Sequence, residues 1–203
     1  MKTQISFGMK NIYDKYIIGI SFGFHDSAVA LIQNGVVLNA VEEERFTGIK
    51  HDNNFPINSI NWILKNNNIT GKDISAVCYY ENPTLKYDRD KKSYWKYFWK
   101  NPFNFPKKKS ELTQFDFIFP NAKVFIGNHH LSHLAYSYFT SDFEESAILS
   151  VDGVGEWDTT VMAYGKDNTI ERKGEVIYPH SLGLLYSTIT AFLGFKPNEG
   201  EYK

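Results

Sequence analysis

The chain has 203 residues, 42% of them apolar, with a formal net charge of −1. That is enough apolar material for a packed core, which excludes a disordered chain, and the near-neutral balance argues against a chain-wide nucleic-acid surface. One cysteine, Cys78, excludes an internal disulfide, and neither a run of roughly 18 apolar residues nor a signal-peptide start is visible, so a cytoplasmic, non-membrane protein is expected.

In chain order, residues 16 to 46 read as three strands, YIIGIS, SAVALIQ and VVLNAVEEE. The second and third are joined by Asn34-Gly35, a pair that tolerates positive φ at both turn positions and so favours a tight hairpin. From Pro56 the pattern turns helical, with Ile60, Ile63 and Leu64 on one face and the Asn run with Gly71 as its stop. ISAVCYY is a further strand. Residues 83 to 120 mix prolines, aromatics and lysines without clean periodicity and read as an excursion with one short helix around YWKYFW. A lid or partner-facing loop suits it best; an RNA or membrane surface is the minor reading, because the charge is local and no stacking platform repeats. AKVFIG is then a strand and HHLSHLAYSYFTS a helix.

After that helix the opening pattern returns. Aligning Asp26 with Asp158, an offset of 132, also matches Gly23 with Gly155 and Ser27 with Thr159. Each copy reads strand, glycine-containing turn, Asp-Ser/Thr, strand, polar turn, strand. A chain that opens each of two halves this way resembles the RNase H-like, actin/sugar-kinase/Hsp70 architecture, an α/β fold whose first turn in each half faces a cleft where backbone amides can meet phosphate. Residues 1–145 are then a first lobe, with the 83–120 excursion, and 146–203 the beginning of a second. SLGLLYSTITAFLG is a helix with Leu182, Leu185, Ile189 and Phe192 as its apolar stripe and Gly194 as its stop. Little follows it, which suggests a truncated second lobe.

His129 and His133 stand at i and i+4 on one helix face, the spacing that lets two imidazoles reach one metal ion, while His130 points about 100° away. Zn, Fe, Mn or Co would suit such a pair, although hydrogen-bonded helix histidines are about as common. Asp152 ends an apolar strand and opens the turn Gly153-Val154-Gly155, which is either a ligand-contacting carboxylate or a turn cap. In the first turn His25 could act as general acid or base, or be a plain surface histidine. Arg45 and Lys50 are candidates for an anionic ligand, and the three glutamates before them read as a solvated strand end.

Taken in order, GISFGFHDSAVALIQNG, AVEEERFTGIKH, NHHLSHLAYSYF, SVDGVGEWDTT and LGLLYSTITAFLGFKPNEGEYK closely resemble the N-terminal domain of the NodU/CmcH O-carbamoyltransferases, from about residue 16 onward. That domain is similar to the transferase that completes tRNA threonylcarbamoyladenosine. The resemblance implies a metal, commonly iron and otherwise Mn or Zn, on His129, His133 and Asp152, with His25 and Lys50 lining the pocket where carbamoyl meets acceptor. Gly23, Arg45, His130, Gly153 and Gly155 would then face substrate or phosphate. It further implies ATP and carbamoyl phosphate as substrates, carbamoyladenylate as the donor, and a small acceptor hydroxyl on a sugar, an antibiotic or a nodulation factor. The family's YrdC-like C-terminal domain lies outside this sequence, and the fragment alone is expected to be inactive. The pattern leaves room for a homodimer. The rival readings are a kinase or ATPase of the same superfamily, a tRNA threonylcarbamoyl transferase-like protein, a non-catalytic binding module, and a metallohydrolase.

Overall fold

The computed structural model describes residues 15–97, 112–197 and 199–202. Among them two compact units form, one from residues 15–80 and 112–127, the other from residues 81–97, 128–197 and 199–202. The division is thus discontinuous, where the sequence suggests a single boundary near residue 145.

The first unit is built on a five-stranded sheet. β1 (Tyr16–Ser21), β2 (Ala28–Gln33) and β3 (Val36–Glu42) form the expected antiparallel meander, and Asn34 and Gly35 take φ of 53° and 77° in its tight turn. Alternation puts Ile18, Ile20, Val29 and Leu31 on one face, where they are buried. After the short helix α1 (Glu44–Thr47), α2 (Ile57–Asn66) lays Ile60 and Ile63 on that core, with Leu64 at its margin. A 3₁₀ turn (Gly71–Asp73), boxed by Thr70 and Asp73, leads into β4 (Ile74–Tyr79), which lies parallel to β1. β5 (Lys123–Ile126) pairs parallel to β4, giving the order β3-β2-β1-β4-β5. An antiparallel meander continued by parallel strands in this order is the RNase H-like, actin-like fold.

The excursion from 83 to 120 is more structured than its composition suggests. It holds a 15-residue helix, α3 (Pro83–Tyr97), starting well before YWKYFW. Asn82 Oδ1 accepts the amides of Thr84 and Leu85, and Pro83 occupies the first helical position, where its missing N–H costs nothing. At the far end α4 (Thr113–Ile118) sends Phe115 and the following Phe119 into the core of the first unit. Gly71 meets this segment: a Cβ there would lie 1.9 Å from the Ile118 carbonyl oxygen. The end of YWKYFW, Pro102 and Pro106 lie outside the described residues.

In the second unit α5 (His129–Phe139) packs on a second meander, β6 (Glu145–Val151), β7 (Asp158–Lys166) and β8 (Thr169–Ile177). Leu134, Tyr138, Ile148, Val161 and Ala163 form its core. The internal repeat is present in the registers. Ala28 pairs with Ser21 and Thr160 with Val151; Thr160 lies 132 positions after Ala28 and Val151 130 after Ser21, so the second turn is two residues longer. Both second hairpins carry a register shift, between Leu31 and Ile32 and between Met162 and Ala163. Ser27 and Thr159, matched by sequence, are both fully buried. The matched aspartates have diverged: Asp26 holds two histidines, whereas Asp158 pairs with Arg172 at 2.8 Å.

α6 (Leu182–Phe192) is capped by Ser181, whose Oγ accepts the Leu184 amide, and stops at Gly194 with φ 86°. Its predicted stripe of Leu182, Leu185, Ile189 and Phe192 is real but stays exposed among the described residues, and only Thr190 of the helix is buried.

Candidate functional site

The second unit brings three of the predicted ligands together. Asn128 caps α5 by accepting the Leu131 amide at 3.0 Å, and the helix then stacks His133 one turn beyond His129. Asp152 follows the last residue of β6, so its carboxylate reaches the same side. Its Oδ2 lies 2.6 Å from His129 Nε2 and 3.6 Å from His133 Nε2, and the two Nε2 atoms are 3.1 Å apart. One ligand atom from each residue falls within 4.8 Å of the others, and among the described residues no other such His/Cys/Asp/Glu group occurs. Two imidazoles and a carboxylate suit a divalent transition ion, and the short His129–Asp152 hydrogen bond puts a proton where such an ion would sit.

The electrostatics agree. The His129 and His133 rings hold the Asp152 carboxyl far below the usual carboxylate range despite partial burial. Burial pulls His129 down, but its bond to Asp152 and the Glu81 carboxylate outweigh this and push it up to about 9. Glu81 Oε2 stands 3.7 Å from His129 Nδ1 on the far side of the ring, and Glu81 Oε1 is paired with Lys86 at 2.6 Å. At that distance the Glu81 carboxylate acts on the His129 ring through its charge.

The turn that carries Asp152 is gripped from several sides. Ser181 Oγ bonds the Gly153 carbonyl at 2.6 Å, Arg89 Nη1 bonds the Gly155 carbonyl, and a Cβ on Gly183 would come within 2.5 Å of the Asp152 carbonyl oxygen. Gly155 lies beneath His129, where a Cβ would sit 3.0 Å from that residue's own Cβ. Glu156, only 2% exposed, accepts the His129 amide at 3.0 and 3.1 Å, the Asn128 side-chain amide at 3.0 Å and the Asn82 amide at 2.7 Å.

His130 is placed otherwise than the family resemblance suggests. It is fully buried, its ring spanning Ser150 Oγ and the Asp158 carbonyl at 2.8 Å each, and burial lowers its basicity. Its place is in seating α5 on β6 and β7. The glycine amides also differ from expectation. Gly23 donates to the Asn53 carbonyl at 2.9 Å, Gly155 to the Asp158 carbonyl at 2.8 Å, and Gly153 to Asp152 Oδ1 at 2.6 Å. Each donor is already engaged, so none is open to a phosphate in this conformation.

In the first unit His25 is exposed, with Nδ1 2.8 Å from Asp26 Oδ2. The other oxygen of Asp26 meets His51 Nδ1 at 2.9 Å. Burial alone would raise the Asp26 carboxyl, but its bonds to His51 and His25 bring it below its ordinary value. Asp26 and His51 both sit at positive φ, 48° and 56°, a strained conformation for non-glycine residues that often marks functional turns. Lys50, beside His51, is exposed; so is Arg45, which leans on Glu42 at 3.2 Å and Glu44 at 3.6 Å. Glu43 corrects the solvated reading of the acidic run. It is 2% exposed and takes the amides of Asn58 and Ser59, the Asn58 side chain and the Ser59 hydroxyl, at 2.6 to 3.1 Å. Those donors and the N-terminal end of α2 offset its desolvation.

Asp26 and His51 beside His25 in the first unit, and Glu81 and Glu156 beside His129 in the second, are thus neighbours that spacing does not reveal. The Asp-Ser pair of the repeat pointed to Asp26; nothing local to 81 or 156 marks the two buried glutamates.

Residues 16–203 match the Carbamoyltransferase N-terminus family, and the chain belongs to it. It is 38% identical over 205 residues to the uncharacterized protein sll1178 of Synechocystis, covering 93% of this chain and 33% of that protein. It is 30% identical over 199 residues to the nodulation protein NolNO of Sinorhizobium fredii, covering 94% of this chain and 28% of that one. The chain therefore spans about a third of the length of these curated relatives. Among solved structures, YeaZ from Pseudomonas aeruginosa aligns with 81% of this chain and 67% of its own at 12% identity and a TM-score of 0.44. No helix among the described residues is long and apolar enough to cross a membrane.

Proposed function

We propose that the chain is the N-terminal part of an O-carbamoyltransferase that moves a carbamoyl group from carbamoyladenylate, made from carbamoyl phosphate and ATP, to the hydroxyl of a small acceptor. The observation that carries this reading is the convergence of His129, His133 and Asp152 within a chain of the carbamoyltransferase family. A bound divalent ion, with Fe, Mn and Zn all suited to the donors, would supply positive charge to the phosphate of departing AMP.

The chain's own residues supply the rest. With Nδ1–H donated to Asp26, His25 leaves Nε2 as the base that takes the acceptor's hydroxyl proton. The freed oxygen bonds to the carbamoyl carbon, the bond from that carbon to the phosphate oxygen breaks, and AMP leaves with the electron pair. Asp26 steadies the imidazolium that forms, and the Lys50 ammonium is a candidate to offset charge on the reacting carbonyl oxygen. Hydroxyl-bearing sugars, nodulation-factor-like compounds and antibiotics are the acceptors to try, a nodulation protein being among the relatives.

The test is made with the protein as its gene encodes it. Carbamoyl phosphate and ATP are supplied with a panel of sugar and antibiotic hydroxyl acceptors, and AMP release and acceptor mass are followed. Acceptor-dependent carbamoylation that is lost on chelation and in His129→Ala is expected. ATP hydrolysis that needs only Mg²⁺ and ignores His129→Ala would replace this reading with a kinase or ATPase; acceptor-independent hydrolysis of carbamoyl phosphate would indicate a hydrolase.

A further inference from the structure

We infer that Glu156 is the positioning residue of the cation site, a buried carboxylate that sets the register between helix α5 and the turn bearing Asp152; the inference rests on His129, His133 and Asp152 being that site. The three donors come from two separate elements, so the fit to an ion depends on how the helix and the turn are locked together. Glu156 lies in the same turn as Asp152, four residues on, and both its oxygens accept the backbone N–H of His129 itself. A second donor, the Asn128 side chain, ties it to the cap of the same helix, and a third, the Asn82 amide, ties it to the start of α3.

Helix capping alone does not call for this residue. The cap position is already filled by Asn128, whose Oδ1 takes the Leu131 amide. What Glu156 adds is a hold on His129 in particular. Gly155, its neighbour, supports the same residue from below, so the turn grips both the backbone and the side chain of one ligand. Burying a carboxylate is costly, and among the described residues no lysine or arginine ion pair to Glu156 offsets that cost. N–H donors and the helix N-terminus carry the compensation. A glutamine at 156 would turn an NH₂ group toward N–H donors and loosen the lock at little change in volume. Asn128→Ser would keep a capping oxygen while removing the side-chain bond to Glu156.

The experiment titrates this chain with Co²⁺ and Zn²⁺ and records the Co²⁺ visible absorption bands. Glu156→Gln, Asn128→Ser, the double variant His129→Ala/His133→Ala and Tyr138→Phe are compared. The last loses the bond from Tyr138 Oη to the Glu144 carbonyl and so serves as a destabilised control away from the site. Expected are about 10- to 100-fold weaker binding and altered Co²⁺ bands in Glu156→Gln, a smaller loss in Asn128→Ser, and unchanged bands in Tyr138→Phe. If Glu156→Gln fails to fold, the Asn128→Ser bands and affinity decide the matter. Wild-type affinity and bands in both the Glu156 and Asn128 variants, or an equal loss in Tyr138→Phe, would overturn the inference while leaving the cation site standing. A wild-type chain that binds no better than the double histidine variant would remove the cation site and the inference with it.

Discussion

His129 Nε2 lies 2.6 Å from Asp152 Oδ2, so the two share a proton between the very atoms that would hold a metal in the proposed site. A metal binds neutral imidazole, and His129 is pushed up to about 9, so binding must release that proton. Affinity should therefore weaken about tenfold for each pH unit below 9, reaching about a hundredfold by pH 7. The stability of the metal-free chain should run the other way. A basic group whose folded value is raised contributes fully below its ordinary 6.5 and loses that contribution as pH climbs through about 9. Calorimetric titration in buffers of different ionisation enthalpy counts the protons, and thermal melts between pH 6.5 and 9 should show stability falling with pH without Zn²⁺ and staying nearly level with saturating Zn²⁺. Affinity independent of pH across that range would contradict the shared proton.

Asp26 binds both His25 and His51, one through each oxygen. Replacing it by asparagine keeps the shape but removes the charge that steadies a protonated His25. In the carbamoyl-transfer assay Asp26→Asn should lower kcat by about tenfold or more with little change in acceptor KM, and His25→Ala by about 10²- to 10⁴-fold. An Asp26→Asn enzyme with unchanged kcat and an unchanged pH–rate profile would leave the Asp26 contacts structural only.

The meander and the His129–His133 cluster were legible for local reasons. Alternating apolar residues around Asn34-Gly35 specify a hairpin, and His129 and His133 declare themselves by a four-residue spacing. α3 was hidden because it is polar all round, and Pro83 reads as a breaker although at a first helical position it starts a helix. α4 was hidden because Phe115 and Phe119 stand in a stretch with no period, and only packing shows that they enter the core. Glu43 reads as solvated and Glu156 goes unmarked because a carboxylate's burial depends on its donors. Here those come from Asn58 and Ser59, and from Asn82 and Asn128, far along the chain.

Glu43 gives the corresponding stability prediction. Glutamine in its place can serve only part of the four donors and turns an NH₂ group toward the others. Unsatisfied buried donors then cost about 2 to 4 kcal/mol, a fall of about 5 to 15 °C in Tm. A melt within about 2 °C of wild type would mean that the donors find water instead.

Asp52 supplies an acid-side test independent of the metal. It is buried, and the Asn54 amide at 3.0 Å and the Thr47 hydroxyl at 2.7 Å hold its carboxyl below its ordinary 3.8. The Asn54 side chain adds a further bond at 2.7 Å. An acid whose folded value is depressed contributes stability that is complete above about pH 4 and is lost as pH falls through the folded value. Asp52→Asn should therefore be less stable than wild type at pH 7, and the gap should narrow as pH drops below 4. Thr47→Val, which removes one donor without touching the carboxylate, should recover part of the same pH dependence in urea melts at pH 3 and pH 7. A constant gap between Asp52→Asn and wild type over that range would show that the Asp52 bonds are no stronger to the ionised than to the protonated carboxyl.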